Sequence, residues 1–354
     1  MAASMDLLSC SIIEKDCNGD VLWTWNYPGV TESQKYLVLK KFSLQSEHND
    51  ILPFVYARHA ANSWFYIQCT EILDSDNLPR VKQLALVLFA KDFNPQKYEA
   101  LCKILSKTYC RTGSPTDLLH IYLSVFTKGS CITQDNGTFV CDEYNGRRAS
   151  NINTNVRGLI KAFELKTILI YTAILLKKRI IVYHHSLEQL LKWIRTFPAL
   201  MKHRNVTDHL FPWVDLVRDE VLELKGHSSY IAGCRDSLVA SRSELYDLLV
   251  NLPAREITVA PHAKESLTMT KTHKEIALFM VQLGDNQSFN EAQIISEISD
   301  KTQDLLNQLK SLATVTTPEG RKMVSIETFK EKNLAPAVEN FLINLAIAEN
   351  LIML

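Results

Sequence analysis

The chain has 354 residues, of which 46% are apolar and 22% charged, an ordinary composition for a folded protein. At roughly 150 residues per domain, this length predicts about two domains. Lysine plus arginine and aspartate plus glutamate both number 39, so the formal net charge is zero. Since no basic stripe is present to contact a phosphate backbone, the composition argues against nucleic-acid binding.

The eight cysteines do not form a metal or redox motif. No two of them lie three positions apart, so the Cys-x-x-Cys spacing of zinc knuckles and thioredoxin-like sites is absent. The first residues, MAASMDLLSCSIIEKD, lack the cationic start and apolar stretch of a signal peptide. We therefore expect reduced thiols and a cytoplasmic location.

The first hundred residues have the pattern of an antiparallel sheet. Asn18-Gly19 is a strong hairpin signal, and a later, nearly continuous apolar strand is expected at the centre of the sheet. The predicted strands are Leu7–Glu14, Val21–Trp25, Ile51–Arg58, Trp64–Ile72 and Val81–Ala90. A helix capped by Asp92 or Asn94 follows, with Pro95 in its first turn. The turn Thr112–Pro115 then predicts a domain boundary after residue 113.

Three aromatic residues mark the second strand. Strand alternation predicts that Trp23, Trp25 and Tyr27 share one face, with Leu22 and Thr24 on the other. Such residues supply the anchoring contacts of many protein interfaces. Packing under a helix of the same domain is the other interpretation.

The remainder alternates between helical and strand patterns before it becomes mostly helical after Ser243. Asn205–Trp213 is predicted to be a surface connection, and Lys128–Gly158 is polar and rich in Asn and Gly. Loops are expected at Pro253–Pro261 and Thr314–Gly320. The predicted helices and strands are Thr116–Thr127, Leu159–Leu176, Arg179–His184, Leu187–Phe197 and Ser229–Ala232.

Three successive cations, Lys177, Lys178 and Arg179, stand where an apolar helix is predicted to meet a buried strand. Cations at a helix C-terminus interact favourably with its dipole. Contact with an acidic partner or with lipid headgroups is the alternative.

The common catalytic and cofactor motifs are absent. No glycine precedes a lysine, and no two glycines lie two or four residues apart, which removes phosphate loops, dinucleotide loops and nucleophile elbows. No histidine is followed by glutamate, which removes the His-Glu-x-x-His zinc motif. The sequence therefore predicts no catalytic residue, no cofactor and no metal site.

Several segments, taken in order, resemble the DENN family of Rab guanine-nucleotide exchange factors. The sharpest match is AILLKKRIIVY at Ala173–Tyr183, an apolar helix that runs through charged residues into a strand. Phe211-Pro212-Trp213, Tyr230–Gly233 and the passage from Leu86–Phe89 into Pro95–Tyr109 fit the same order. Lys177 stands where many members carry an acidic residue. The length resembles that of the short members without further domains.

The resemblance implies an α/β fold of two lobes, with a Rab held across them. The first lobe is an antiparallel sheet with helices, like that of longin domains, and spans residues 1–113. The second is a larger α/β lobe, with its central core at residues 114–236. A mostly helical part of the same lobe follows at residues 237–354.

The resemblance also implies a function without covalent chemistry. The chain is expected to bind the switch regions of a Rab GTPase of late-endosomal or secretory membranes and to promote GDP release. It would be cytoplasmic and recruited to late endosomes, with membrane association through partners. The candidate contact residues are Trp23, Trp25, Tyr27, Phe211 and Trp213.

The alternative implied by the same resemblance is an adaptor without exchange activity. In that case the chain would be a subunit of the endosomal recycling assembly called Commander, held there by coiled-coil subunits.

Overall fold

The computed structural model describes residues 6–41, 52–60, 63–73, 75–133, 137–144, 154–313, 315–316 and 322–353. Its contacts divide the chain into two compact units, Met1–Asn153 and Thr154–Leu354. Among the described residues, no helix combines the length and the apolar character needed to cross a membrane.

The first unit is built on a five-stranded antiparallel sheet in the order β2-β1-β5-β4-β3. The apolar strand β5 lies at its centre, as the sequence predicted. The elements are β1 (Leu7–Asp16), β2 (Val21–Tyr27), α1 (Glu32–Lys41), β3 (Phe54–Ala60), β4 (Ser63–Glu71), β5 (Val81–Ala90), α2 (Pro95–Thr112), α3 (Pro115–Lys128), β6 (Ser130–Thr133) and β7 (Gly137–Val140).

The predicted turn at Asn18-Gly19 joins β1 and β2. Gly19 has a φ of 93°, a left-handed conformation that glycine adopts without steric cost. The carboxylate of Asp16 accepts hydrogen bonds from the backbone N–H groups of Asn18 (2.8 Å) and Asp20 (2.9 Å), which fixes the turn.

Helix α2 packs against one face of this sheet. Asn94 caps it by accepting from the backbone N–H of Lys97 at 3.2 Å, and Gly113 ends it with a φ of 61°. The ring of Tyr98 stacks on that of Tyr66 in β4, with centroids 4.4 Å apart. Sequence reasoning had left Asp92 and Asn94 as alternatives, and the structure selects Asn94.

Helix α3 and the β6–β7 hairpin belong to the first unit because α3 packs on α2 and β6 packs on α3. The division between the compact units therefore lies after Asn153, although the sequence placed a domain boundary after residue 113. The domain limits 1–113, 114–236 and 237–354 stay a prediction.

The second unit is built on a sheet in the order β12-β11-β8-β10-β9. Four strands are parallel, and β12 pairs antiparallel with β11. The elements are α4 (Val156–Phe163), α5 (Thr167–Leu175), β8 (Arg179–Tyr183), α6 (Leu187–Ile194), β9 (Leu210–Val214), α7 (Arg218–Lys225), β10 (Tyr230–Cys234), β11 (Leu248–Asn251), β12 (Glu256–Val259), α8 (Lys271–Asp285), α9 (Glu291–Ser311), β13 (Val315–Thr316), β14 (Lys322–Ser325), α10 (Ile326–Glu331), α11 (Pro336–Ala348) and β15 (Ile352–Met353).

The prediction of one helix over Leu159–Leu176 is wrong, because the helix is interrupted. Helix α4 ends at Phe163, and Glu164 has a φ of 47°. A 3₁₀ turn at Glu164–Lys166 then leads into α5. The apolar face of α4 and the almost entirely buried α5 therefore belong to separate helices.

The prediction that Asn205–Trp213 is a surface connection is also wrong for its last residues. Leu210–Val214 is the buried edge strand β9. Pro212 is tolerated because an edge strand has one side without ladder hydrogen bonds. A Cβ at Gly233 of β10 would lie 2.2 Å from the carbonyl oxygen of Pro212, so glycine is required for this close pairing.

The region after Ser243 contains more strand than the sequence predicted. The expected loop Pro253–Pro261 includes β12, which forms a hairpin with β11. A small sheet in the order β13-β14-β15 lies among the last helices, and much of the expected loop Thr314–Gly320 lies outside the described residues. These strands are two to four residues long, which is too short for the alternation of apolar and polar residues that indicates a strand in a sequence.

Candidate functional site

The edge strand β2 contains a bulge that changes which aromatic residues share a face. Trp25 pairs with Ile12 of β1, but Trp23 pairs with Ile13, so β2 has one extra residue between these pairs. Ile12 and Ile13 are adjacent and point to opposite faces, and paired residues share a face. The predicted common face of Trp23, Trp25 and Tyr27 is therefore wrong.

The face with Trp25 and Tyr27 is the one that the helices cover. Glu14, which pairs with Leu22, accepts a 2.8 Å hydrogen bond from the hydroxyl of Tyr109 in α2. Leu22 consequently shares this face, although its side chain is 55% exposed. Trp23 lies on the opposite face, and its buried Nε1 has no hydrogen-bond partner among the residues that the structure describes.

A row of aromatic rings extends from β2 onto α3. The ring of Tyr27 meets that of Tyr122 edge-on, with centroids 6.1 Å apart, and Tyr122 stacks on Phe126, also at 6.1 Å. Tyr122 is buried, which raises the pKa of its hydroxyl, and Tyr27 remains exposed. We call the surface formed by Leu22, Trp25, Tyr27 and Phe126, together with the buried Tyr122 that supports Tyr27, the aromatic edge.

The aromatic edge combines the two interpretations that the sequence left open. Tyr27 does pack against a helix of its own unit, and it also remains partly exposed to solvent. Strand β2 contains no charged residue, whereas protected edge strands commonly carry one. Apolar and aromatic groups at an uncharged sheet edge suit contact with another polypeptide.

Phe211 and Trp213, the other two candidate residues, are buried in β9 of the second unit. The ring of Phe211 packs against His227, with centroids 5.3 Å apart. The indole Nε1 of Trp213 donates to Asp215 at 3.1 Å, and the guanidinium of Arg235 lies 5.2 Å from the ring centroid. These contacts stabilise the sheet edge and leave little of either side chain for a partner.

The cations at Lys177–Arg179 do not bind the end of α5 with their side chains. The last carbonyls of α5, those of Ile174 and Leu175, accept hydrogen bonds from Arg204 at 2.6 and 2.9 Å. Arg204 is in turn paired with Glu349, which follows α11. The charge compensation at this helix end is therefore supplied largely by a residue that is distant in sequence.

Arg179 instead orders the start of two parallel strands. Its Nη2 donates to the buried carboxylate of Asp247 at 2.9 Å, and its backbone N–H donates to the same carboxylate at 2.8 Å. His262 also contacts Asp247, at 2.9 Å. Burial raises the pKa of Asp247, but the hydrogen bonds from Arg179 and His262 outweigh it, so the pKa is lowered. The cluster holds β8 and β11 in register.

Across the part of the chain that the structure describes, no three His, Cys, Asp or Glu side chains are grouped so that they could hold a metal ion. His184 and His185 do lie together, with ring centroids 4.6 Å apart. The Nδ1 atom of His184, however, accepts a hydrogen bond from the backbone N–H of Ser186 at 2.9 Å, so this nitrogen is already occupied within a turn.

Comparison with known proteins gives the family. Residues 153–261 match the family described as SPA: Stabilization of polarity axis. The chain is 38% identical over 346 residues to DENN domain-containing protein 10 of Mus musculus, which covers 98% of this chain and 96% of that protein. It is 39% identical over 352 residues to DENN domain-containing protein 10 of Danio rerio, covering 99% of each. The protein of the same name from Dictyostelium discoideum is 34% identical over 367 residues, covering 99% of this chain and 100% of the relative.

The chain therefore belongs to the DENN family, which confirms the resemblance that the sequence motifs indicated. This family is generally linked to guanine-nucleotide exchange on Rab GTPases. The mixed α/β architecture, with an antiparallel sheet in the first unit and a mostly parallel sheet in the second, also agrees with the predicted fold class.

Sequence reasoning missed Tyr122 and Phe126 as members of the aromatic edge, the first as its buried support. Their signal was present, since the four-residue spacing places both rings on one face of α3. What the sequence did not reveal is that this face of α3 meets the edge strand beside Tyr27.

Proposed function

We propose that the chain is a guanine-nucleotide exchange factor for a Rab GTPase. The observation that carries this proposal is the identity of 38–39% over nearly the whole chain to proteins of a family generally linked to Rab exchange. The mechanism would need no covalent step. A protein that binds the nucleotide-free GTPase more tightly than the loaded form must, by linkage, weaken nucleotide binding by the same factor.

The aromatic edge is the proposed contact for the GTPase. The γ-phosphate and Mg²⁺ order the switch segments of a GTPase, so a partner surface that holds these segments in another conformation opposes nucleotide binding. An uncharged strand with a half-exposed leucine and flanking aromatic rings offers apolar anchors for such a segment. The other candidate residues would affect exchange only by stabilising the packing of their own units. They are Trp23 in the first unit and Phe211 and Trp213 in the second.

We place the protein in the cytoplasm and propose that partners recruit it to late endosomes. This placement is supported by the family resemblance alone. The competing proposal, an adaptor subunit of the Commander assembly held by coiled-coil partners, would use an apolar contact surface without accelerating nucleotide release.

The test is the rate of mant-GDP release from a panel of purified Rab proteins in the presence of the isolated chain. The wild-type chain should accelerate release from at least one Rab, and Leu22→Lys should reduce the acceleration about tenfold because a charge replaces an apolar contact. The substituted lysine would lie across from Glu14, an opposite-charge pair that favours the fold.

The matched control is Leu73→Lys, since Leu73 is 85% exposed in the same unit and outside β2. It should leave the release rate within about twofold of wild type. Lack of acceleration on every Rab would overturn the exchange proposal. Stable binding to a Rab or to coiled-coil subunits without acceleration would support the adaptor.

A further inference from the structure

Strand β2 is the last strand of the sheet in the first unit, and its outer edge is open. No strand that the structure describes pairs with β2 on the side away from β1. Within the described ranges, its residues also form no backbone–backbone hydrogen bond outside that pairing. Antiparallel strands direct alternate N–H and C=O groups to each side, so about half of the backbone polar groups of β2 point outward. Such a row is a template for another extended backbone.

The features that normally protect a sheet edge are present only in part. The bulge between Trp23 and Trp25 interrupts a regular ladder, so the usable part of the edge is Trp25–Tyr27, on the C-terminal side of the bulge. This part contains no charged residue and no proline, and its last two residues, Asn26 and Tyr27, are exposed. The open edge is therefore short, but it can accept a strand.

Helix α3 has an incompletely buried apolar flank next to this part of the edge. The flank consists of Leu119, Leu123 and Phe126, each of which is only partly buried. Their spacing of three and four residues places them on one side of the helix. Phe126 stacks on Tyr122, and Tyr122 meets Tyr27 at the end of β2, so the flank begins where α3 meets the sheet edge.

We propose that an extended segment of a partner protein adds to β2 and extends this sheet by one strand. The backbone of the segment pairs with Trp25–Tyr27. Successive side chains of a strand point to opposite faces, so every second side chain of the segment meets the flank of α3. Those side chains are apolar, because the flank is apolar. This mode of binding is strand addition to an exposed sheet edge.

The inference deepens the proposed function by stating how the aromatic edge holds its partner. It rests on that function only in taking the aromatic edge as a contact surface. An exchange factor and an adaptor could both bind a partner in this way.

A second copy of this chain is a poorer occupant than an extended segment. Pairing two copies through β2 about a two-fold axis brings two α3 helices to the same face of the joined sheet. Each α3 lies at its own sheet edge, since Tyr122 meets Tyr27. Neighbouring strands are only about 4.8 Å apart, whereas packed helices need about 8–10 Å between their axes. An extended segment brings no helix and leaves α3 in place.

The probe is a fluorescein-labelled peptide of about nine residues, a usual strand length. It has isoleucine at alternate positions, threonine between them and a lysine at each end for solubility. Binding to the full chain is followed by fluorescence anisotropy and should be measurable below about 1 mM. A peptide with serine in place of every isoleucine should bind at least about tenfold more weakly, because it lacks the apolar side chains that meet α3.

Two N-methylated peptides test whether the backbone takes part. One carries N-methyl groups on the odd positions and the other on the even positions, so each keeps every side chain and loses the N–H donors of one strand edge. One of the two should bind at least about tenfold more weakly than the parent peptide, because two or more ladder hydrogen bonds are lost. The other should bind within about threefold of the parent, since its lost donors face solvent.

Substitutions in α3 locate the site. Leu119→Lys and Leu123→Lys should each weaken the parent peptide at least about fivefold, because a charge replaces an apolar contact. His120→Lys is the matched control, at an exposed residue of the same helix that lines a cavity with Ile132 of β6. It should stay within about twofold of wild type. Circular dichroism identifies the folded variants, and either leucine variant alone suffices for the comparison.

Four results would overturn the inference. The first is that the parent peptide does not bind at concentrations up to about 1 mM. The second is that the two N-methylated peptides bind equally well. The third is that His120→Lys weakens binding as much as the leucine variants. The fourth is that the chain itself dimerises in analytical ultracentrifugation and Leu123→Lys makes it monomeric, which would assign the edge to a second copy. Peptide binding without acceleration of nucleotide release from any Rab would support this inference and overturn the exchange proposal, so the two failures are distinguishable.

Discussion

At the scale of single residues, His273 shows how a titratable group can serve a structural role. It occupies the third position of α8, where its Nδ1 accepts from the backbone N–H of Thr270 at 3.1 Å and its backbone N–H donates to the hydroxyl of Thr270 at 3.4 Å. This is a capping box with histidine in place of the usual glutamate or glutamine. The ring also packs edge-on against Phe341, with centroids 4.4 Å apart.

Burial lowers the pKa of His273 to about 4. The unfolded chain binds a proton at this residue near pH 6.5, whereas the folded chain does not until about pH 4. Stability is therefore lost as the pH falls from about 6.5 to 4, since protons favour the unfolded state in this window.

We predict that His273→Gln removes this part of the pH dependence and keeps the capping box, because glutamine suits the same position. Between pH 7 and pH 5 the wild-type free energy of unfolding should fall by about 2 kcal/mol more than that of the variant. Urea unfolding at several pH values measures the difference. Lys274→Gln, at an exposed position of the same helix, is the control and should follow wild type. Identical pH profiles for His273→Gln and wild type would contradict the assignment.

At the scale of elements, the junction between α5 and β8 is set by backbone conformation. The N–H of Lys178 bonds to the carbonyl of Ala173 at 2.9 Å, and that of Lys177 to Ile174 at 3.1 Å, the two bonds of a Schellman motif. Lys177 has a φ of 50°, a left-handed conformation that costs most residues about 1 kcal/mol. Burial and the charge of Arg204 lower the pKa of Lys177, and the carboxylate of Glu349 partly offsets them.

We predict that Lys177→Gly stabilises the chain by about 0.5–1 kcal/mol, because glycine adopts the left-handed conformation without strain. The urea midpoint should rise while the slope of the transition stays constant. Lys178→Gly is the matched control. Lys178 does not have a positive φ, so the same substitution there should destabilise the chain. A lower midpoint for Lys177→Gly would refute this explanation of the junction.

Elements with long, regular patterns could be predicted from the sequence, and those that depend on pairing partners could not. Strand β5 and the turn at Gly19 follow from apolar continuity and turn chemistry. Strand β9 was missed because Pro212 favours a loop, and the edge position that tolerates it is a property of the sheet. The bulge in β2 was missed for a similar reason, since it exists only relative to the register of β1.

The candidate site was predicted only in part, because some of its features depend on strand pairing and on tertiary contacts. Trp25 and Tyr27 were identified from their spacing in β2, but Trp23 was assigned to the wrong face. Tyr122 completes the aromatic edge through a tertiary contact that no local pattern encodes.

At the scale of the whole molecule, the two compact units carry different kinds of sheet. The first has an antiparallel sheet with an uncharged edge strand, and the second has a mostly parallel sheet whose four parallel strands are largely buried. Family membership rests on identity that spans both units, from 34 to 39% over nearly the full chain. The proposed function requires that this scaffold bind the nucleotide-free state of a GTPase more tightly than the nucleotide-loaded state.

The most direct test of that claim compares the dissociation constants of the chain for one Rab in its nucleotide-free and GDP-loaded states. An exchange factor should bind the nucleotide-free form about tenfold to a hundredfold more tightly and should weaken GDP binding by the same factor. Equal affinity for the two states, for every Rab that binds, would contradict the exchange mechanism.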